Sequence, residues 1–312
     1  MAPRTREELV SLATMDPALA ALLKSKPPLK PPELTEPHTT RRENRTSILK
    51  AKWSLRYIPG PISPVTEHDL KIPVRDGSEI IIRVYTPVAK KDGGSPLIVM
   101  YHEGGWGMGD LSDEEVNCRL FARDLGAVCV NVEYRLAPEH PFPTRINDAW
   151  DSLQWCAKHA SELGAEPSRG FVVGGGSAGG NIAAVVAHMA RDEQLEPPLT
   201  GQFVFNLLPL SILAKTFNLI GLNGNVSSSL FVPFRYGKEE RGHRDLPPAY
   251  FQVCGLDPLR DEALIYERVL REEAGVRTRL DVYRGLGHYF WTNFPGLEMS
   301  KTFVEETVIG MK

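Results

Sequence analysis

The sequence predicts an α/β protein with a mostly parallel eight-stranded sheet flanked by helices. Two observations support this prediction. After an initial hairpin, short apolar segments alternate with helical segments along the chain, an order that is typical of a sheet covered on both faces. Several apolar segments, such as 96–102 and 127–133, are continuous, as strands buried on both faces require. The 312 residues, 42% of them hydrophobic, are enough for one large domain.

The first predicted strands form a hairpin that begins at residue 67. Its strands, 67–73 and 79–86, flank the turn sequence Arg75-Asp76-Gly77-Ser78. Six further strands are predicted at 96–102, 127–133, 170–174, 202–208, 249–255 and 278–283, and helices at 144–160, 178–189 and 261–274. Gly275 directly follows the last of these helices, where glycine commonly ends a helix.

Residues 1–62 are expected to form a helical cap or extension in front of a catalytic domain at 63–312. Thr5 and Glu8 have the spacing of a capping box, and Asp16-Pro17 is typical of a second helix start. A third amphipathic segment follows at about 40–55. Within the catalytic domain, 209–245 is expected to be a shortened second cap segment.

Composition and charge exclude several classes of function. The net charge of −3, without a basic run, argues against a nucleic-acid partner, and the cluster Arg41, Arg42 and Arg45 is interpreted as a solvated face. Four scattered cysteines lack the spacing of a zinc site or a disulfide framework. The N-terminus lacks the apolar core of a secretory signal, and no apolar stretch approaches the roughly 20 residues of a membrane span. A cytoplasmic protein without a membrane span is expected.

The strongest chemical signal is the motif Gly175-Gly176-Ser177-Ala178-Gly179 between a predicted strand and a predicted helix. In that setting, Gly-x-Ser-x-Gly indicates a strained turn that exposes a nucleophilic serine. The helix N-terminus behind Ser177 favours developing negative charge. A glycine-rich phosphate loop or a plain tight turn would also fit the motif by itself.

A second glycine-rich segment, His102-Glu103-Gly104-Gly105-Trp106, follows the third strand. Backbone N–H groups of such loops can stabilise the oxyanion that forms during acyl transfer. The alternative is a simple turn at the end of a strand. His102 itself is predicted to support its loop through a structural hydrogen bond.

A nucleophilic serine needs a base, and the base needs an acid that orients it. Asp257 and His288 each follow a predicted strand, in the chain order expected after the serine. Both lie where parallel sheets bind their ligands, at the carboxyl ends of the strands. Asp261 is a rival acid, but its place at a helix start favours a capping role.

Taken together, these segments resemble the hormone-sensitive-lipase-like esterases, a branch of the α/β-hydrolase fold. The resemblance covers roughly residues 65–310. It consists of five motifs in the family's order: His102–Gly105, Tyr134–Pro143, Gly175–Asn181, Asp257–Asp261 and Gly285–Phe290. The resemblance implies Ser177 as nucleophile, His288 as base and Asp257 as its orienting acid.

The resemblance also implies that Gly104, Gly105 and Ala178 donate the oxyanion-hole N–H groups. We further expect Glu103, Trp106 and Tyr289 to contribute to the substrate pocket. The chain departs from the family at Glu103, which replaces a loop glycine, and at Gly176, which replaces the aspartate before the nucleophile. We expect the first change to alter local electrostatics and the second to loosen the support of the turn.

The predicted activity is hydrolysis of short-to-medium acyl esters by a serine carboxylesterase without metal or organic cofactor. The expected partner is a small-molecule ester, and a homodimer is common on this scaffold. An alternative keeps the site but makes the protein a biosynthetic acyltransferase, a cyclase or a carbon–carbon bond-forming enzyme. A further alternative is a ligand receptor resembling the plant gibberellin receptors. Those receptors lack the catalytic histidine, whereas His288 is present here.

Overall fold

The computed structural model describes residues 5–25, 38–52, 57–58, 65–88, 92–205, 225–238 and 240–312. One sheet contains eight strands in the order β1-β2-β4-β3-β5-β6-β7-β8. They are β1 (Val65–Pro73), β2 (Glu79–Pro87), β3 (Leu97–Tyr101), β4 (Val128–Glu133), β5 (Phe171–Gly176), β6 (Gly201–Phe205), β7 (Ala249–Cys254) and β8 (Thr278–Tyr283). This architecture confirms the predicted α/β class and its eight-stranded sheet.

Strand direction follows the predicted pattern. β1 and β2 form an antiparallel hairpin in which Val65 pairs with Pro87, and β2 is also antiparallel to β4. The remaining neighbours, from β4 through β3 to β8, are parallel. All five residues of β3 are buried, whereas β2 largely alternates between exposed and buried residues. The continuous apolar runs therefore mark central strands, which are covered on both faces.

The helices of the described part of the chain flank this sheet. They are α1 (Arg6–Leu12), α2 (Pro17–Lys24), α3 (His38–Lys52), α4 (Glu115–Leu120), α5 (Thr144–Lys158), α6 (Ala178–Asp192), α7 (Arg260–Arg268), α8 (Phe290–Asn293) and α9 (Glu298–Gly310). Buried side chains of α5, α6 and α7 form the core on one face of the sheet, and those of α4 and α9 form the core on the other. The domain thus has three layers.

The N-terminal segment contains the three helices expected from the sequence. The Thr5 hydroxyl accepts the Glu8 backbone N–H, and the Glu8 carboxylate accepts that of Thr5, so the predicted capping box is present at 3.1 Å for both bonds. Asp16 caps α2 by accepting the N–H groups of Ala18 and Leu19. The predicted boundary at residue 62 lies outside the described residues, as does much of the expected second cap segment at 209–245.

The carboxyl ends of β3, β5, β7 and β8 lie at one edge of the sheet because these strands are parallel. The segments that follow them contain all the residues singled out for chemistry. In the described part of the chain, no helix is long and apolar enough to cross a membrane.

Candidate active site

Ser177 occupies the turn between β5 and α6. Its backbone has φ 52° and ψ −114°, a conformation that is strained for any residue with a side chain. The Ser177 N–H donates to the Phe205 carbonyl at 2.9 Å, and the Ser177 carbonyl accepts from Asn181 at 3.0 Å. The end of β6 and the first turn of α6 therefore hold the serine in this geometry.

Glycines allow this turn to pack against the end of β3. A Cβ atom at either Gly175 or Gly179 would collide with the Tyr101 carbonyl oxygen. Any other residue at these two positions would push the turn away from β3. The close contact places Ser177 beside the loop that begins at His102.

That loop has an unusual backbone of its own. Gly104, Gly105 and Trp106 all have positive φ, at 117°, 60° and 60°. The Met108 N–H donates to the Gly104 carbonyl at 2.9 Å and closes the turn. Successive backbone N–H groups in turns can form a concave site that stabilises an anion.

His102 supports this loop from inside the protein. Its ring stacks on Tyr134 at 4.1 Å between centroids, and its Nδ1 donates to the Glu103 carbonyl at 2.7 Å. Burial lowers the pKa of His102. A neutral, buried imidazole bonded to its own loop agrees with the predicted structural role.

Asp257 and His288 come together at the ends of β7 and β8. Asp257 Oδ2 lies 2.6 Å from His288 Nδ1, and Asp257 Oδ1 accepts the Leu259 N–H at 2.9 Å. The aspartate side chain is buried, whereas 32% of the histidine side chain is exposed. Because an ionised carboxylate can only accept hydrogen bonds, Nδ1 must donate its hydrogen to Asp257, and Nε2 is the ring nitrogen left to accept a proton. The rival acid Asp261 instead pairs with Arg260 at 2.7 Å.

Tyr289 connects the histidine loop to the serine turn. Its backbone is left-handed, with φ 56°. A Cβ atom at Gly176 would collide with both the Tyr289 hydroxyl and the Phe205 ring. The loop that carries His288 therefore adjoins the turn that carries Ser177.

Two of the three predicted pocket residues lie together, and the third lies elsewhere. Glu103 and Tyr289 line a cavity of about 30 Å³. Burial and the nearby Glu103 carboxylate raise the pKa of Tyr289. Trp106 is fully buried and instead packs against Phe231, 5.2 Å between centroids. Arg145, which the sequence did not single out, lies over the Trp106 ring at 4.9 Å.

The arginine cluster of α3 corrects one sequence interpretation. Arg42 and Arg45 do not form a solvated face, because each binds groups of the catalytic domain and only 23% and 21% of their side chains are exposed. The missed signal is their spacing: positions 42, 45 and 46 lie on one face of a helix. Among the described residues, no group of His, Cys, Asp or Glu side chains could hold a metal ion.

Comparison with known proteins identifies relatives along most of the chain. A family profile described as "alpha/beta hydrolase fold" matches residues 98–216 and 207–292. Versiconal hemiacetal acetate esterase of Dothistroma septosporum is 32% identical over 80% of this chain and 83% of its own. Carboxylesterase NlhH of Mycobacterium tuberculosis is 33% identical over 88% of both chains.

A solved structure extends the similarity to the full length of the chain. The crystal structure of vibralactone cyclase superposes with a TM-score of 0.84 and 29% sequence identity. The match covers 100% of this chain and 96% of the cyclase. The N-terminal helices are therefore included in the similarity.

Proposed function

The chain belongs to the α/β-hydrolase family, in its branch of hormone-sensitive-lipase-like carboxylic ester hydrolases, and we propose that it hydrolyses short-to-medium acyl esters through Ser177, His288 and Asp257. The observation that carries this proposal is the 2.6 Å contact between Asp257 and His288, on a loop that adjoins the strained Ser177 turn. This geometry supports the proposal, because nucleophilic catalysis by serine needs a base and an orienting acid close to the serine.

Acylation starts with the serine. His288 Nε2 accepts the proton of Ser177 Oγ while that oxygen attacks the ester carbonyl carbon. Asp257 accepts the Nδ1 hydrogen bond and stabilises the imidazolium that forms. The negative charge moves to the carbonyl oxygen, where the N–H groups of Gly104, Gly105 and Ala178 would stabilise it.

The tetrahedral intermediate then breaks down to an acyl-enzyme. His288 gives its proton to the leaving alcohol as the carbon–oxygen bond of the ester breaks. Water repeats the sequence at the acyl carbon, with His288 again as the base, and releases the carboxylic acid. Each proton that His288 accepts is thus returned within the same half-reaction.

The similarity to the versiconal hemiacetal acetate esterase supports a short acyl group, because the name of that relative specifies an acetate. We assign the helices of residues 1–62 to a cap over this site. The contacts of α3 with the His102–Gly109 segment, which include Arg42 to the Gly107 carbonyl, support that assignment.

The test is hydrolysis of p-nitrophenyl acetate and butyrate by single variants. Ser177→Ala should lower kcat by about 10⁴-fold or more, because the nucleophile is lost. Asp257→Asn should lower kcat by a similar factor, because an amide favours the wrong histidine tautomer.

Asp261→Asn is the matched control, because this carboxylate is exposed and pairs with its neighbour Arg260. It should keep wild-type kcat. A fully active Ser177→Ala variant would overturn the assignment of the nucleophile. If Asp261→Asn were inactive and Asp257→Asn fully active, Asp261 would be the acid that orients His288 instead of Asp257.

The similarity to vibralactone cyclase supports a second candidate, in which the acyl group reacts within the substrate. The two reactions differ in the fate of water: hydrolysis places one oxygen atom of water in the acid product, whereas cyclisation places none. Turnover in H₂¹⁸O followed by mass spectrometry separates them. Incorporation of one ¹⁸O atom supports the esterase, and an unlabelled lactone supports the cyclase.

A further inference from the structure

α3 contacts the glycine-rich loop through polar groups. Arg42 Nε donates to the Gly107 carbonyl at 2.8 Å, and Arg42 Nη2 donates to the Ala137 carbonyl at 2.6 Å. The same guanidinium pairs with Glu139 at 2.7 Å. The Ala137 N–H in turn donates to the Trp106 carbonyl at 3.0 Å. Arg42 therefore holds the part of the loop that directly follows its strained residues.

Arg45 holds the other end of the loop. Its guanidinium lies 2.9 Å from Glu103 and 2.7 Å from Asp113. The exposed fraction of the two carboxylate side chains is only 10% and 0%. Burial raises the pKa of Glu103, and the Arg45 charge opposes that rise. Removal of one partner from such a buried group leaves an uncompensated charge, which is costly.

Thr46 adds a third contact on the same face of α3. Its hydroxyl donates to Asp110 at 2.7 Å. Hydrogen bonds within the turn at 110–113 fix the positions of its carboxylates: Asp113 accepts the Asp110 N–H, and Asp110 accepts the Ser112 N–H. The helix thus contacts a preformed partner.

The segment between these contacts contains the strained backbone of Gly104, Gly105 and Trp106. Strained conformations persist only where the surrounding structure fixes them. Glu103 lies directly before this segment, and the Gly107 carbonyl lies directly after it. The contacts of α3 therefore fall on both sides of the backbone whose N–H groups would stabilise the oxyanion.

We propose that α3 is a polar latch that fixes the 103–107 loop in the conformation of the oxyanion hole, with Glu103 as the positioning residue that links helix and loop. The proposal rests on the esterase function proposed above. It is specific to this chain, because the loop glycine of the resembling family has no side chain that could reach Arg45. In this role Glu103 acts through the backbone of its neighbours.

The kinetic test compares Glu103→Ala and Arg45→Met in ester hydrolysis. Each should lower kcat roughly 10-fold, because a loop displaced by a fraction of an ångström loses alignment with the oxyanion. KM should stay within about two-fold, because ground-state binding does not depend on the hole. Glu103→Gln should keep part of the kcat that Glu103→Ala loses, because the amide oxygen of glutamine can still accept a hydrogen bond from Arg45.

Arg83→Met is the control, because it removes an arginine of the β1–β2 hairpin whose ion pair with Asp69 involves neither α3 nor the loop.

The structural test is hydrogen–deuterium exchange of the 104–109 amides in the inactive Ser177→Ala background. Glu103→Ala and Arg45→Met should speed exchange there, and Arg83→Met should not. This readout does not depend on turnover, so it stands even if the esterase assignment fails. Unchanged exchange in both latch variants would overturn the proposal. So would faster exchange accompanied only by a raised KM, because α3 would then control substrate entry.

Discussion

Gly176, the residue before the proposed nucleophile, shows how one position depends on a distant one. The resembling esterases carry an aspartate here, and its absence was expected to loosen the turn. In this chain, the Phe205 ring and the Tyr289 hydroxyl occupy the space where a side chain at 176 would begin. Phe205 and Tyr289, whose ring centroids are 6.3 Å apart, thus occupy the space of the missing aspartate side chain, although neither residue belongs to the serine motif.

Gly176→Ala should therefore impair catalysis although the change is small. The new Cβ atom must displace Phe205 or Tyr289, and movement of Tyr289 shifts the adjacent His288. We expect kcat to fall by roughly 100-fold, the effect of about 1 Å of misplacement at a reacting group. Overpacking of this kind also costs about 1–3 kcal/mol of the free energy of unfolding.

Gly296→Ala is the matched control for this change, because a Cβ atom there meets no atom within 4 Å. Its kcat and its urea midpoint should equal those of the wild type. Equal kcat values for the two variants would show that Phe205 and Tyr289 can accommodate a side chain at residue 176 without loss of activity.

Single residues differ in how well their environments can be predicted from the sequence. The positions of Ser177, Asp257 and His288 beyond the ends of strands could be predicted, because each residue lies in a recognisable motif. Arg145 and Arg45 could not, because their environments are assembled from segments far apart in the chain. Arg145 lies over Phe142 and Phe231 at 5.3 and 5.1 Å, and no local pattern places those rings together.

At the scale of elements, the N-terminal helices contact the loops of the proposed acid and base. The Gly285 N–H donates to the Leu12 carbonyl at 2.8 Å, and the Asp16 N–H donates to the Gly285 carbonyl at 3.0 Å. A Cβ atom at Gly255 would collide with the Leu12 carbonyl. The turn between α1 and α2 is thus packed against the ends of β7 and β8, which precede Asp257 and His288.

Gly285→Ala tests this packing. Gly285 has φ 68°, and a Cβ atom there would collide with the Thr14 carbonyl. Gly275→Ala is a close control, because Gly275 has φ 69° but nothing within 4 Å of its Cβ position. Both variants should lose about 1 kcal/mol of the free energy of unfolding from backbone strain.

Only Gly285→Ala should lose a further 1–3 kcal/mol, roughly the cost of overpacking, as measured by urea unfolding. It should also lower kcat, because the loop that leads to His288 must shift. Identical losses in the two variants would mean that the α1–α2 turn contributes nothing to the stability of this region.

At the scale of the whole molecule, the sheet followed from sequence because its central strands, such as β3 and β4, are separate and continuous runs of buried residues. The attachment of α3 did not follow, because it depends on single polar side chains of that helix. Their partners lie in a loop 58 or more residues further along the chain, as for Arg45 and Glu103. A helix face that binds carboxylates has the same local composition as one that faces water, so the sequence alone does not distinguish the two for Arg42 and Arg45.

A buried histidine pair should make the stability of the whole domain depend on pH. His188 of α6 lies 2.9 Å from His243 through ring nitrogens and stacks on Tyr236 at 4.0 Å. Burial lowers the pKa of His188 to about 3 and that of His243 to about 4. Both values lie below the value of about 6.5 for an unfolded chain. Below pH 6.5 the unfolded chain therefore binds protons that the folded chain does not.

Stability contributed by His188 should accordingly be complete above about pH 6.5 and decline by about 1.4 kcal/mol per pH unit as the pH falls toward 3. Between pH 7 and pH 5, the wild type should lose about 2 kcal/mol more of its free energy of unfolding than His188→Gln, which has no proton to gain at this position. Urea unfolding at the two pH values measures the difference. His140→Gln, which changes an exposed histidine, should follow the wild type. A His188→Gln variant with the wild-type pH slope would mean that the buried pair does not carry the acid sensitivity of the fold.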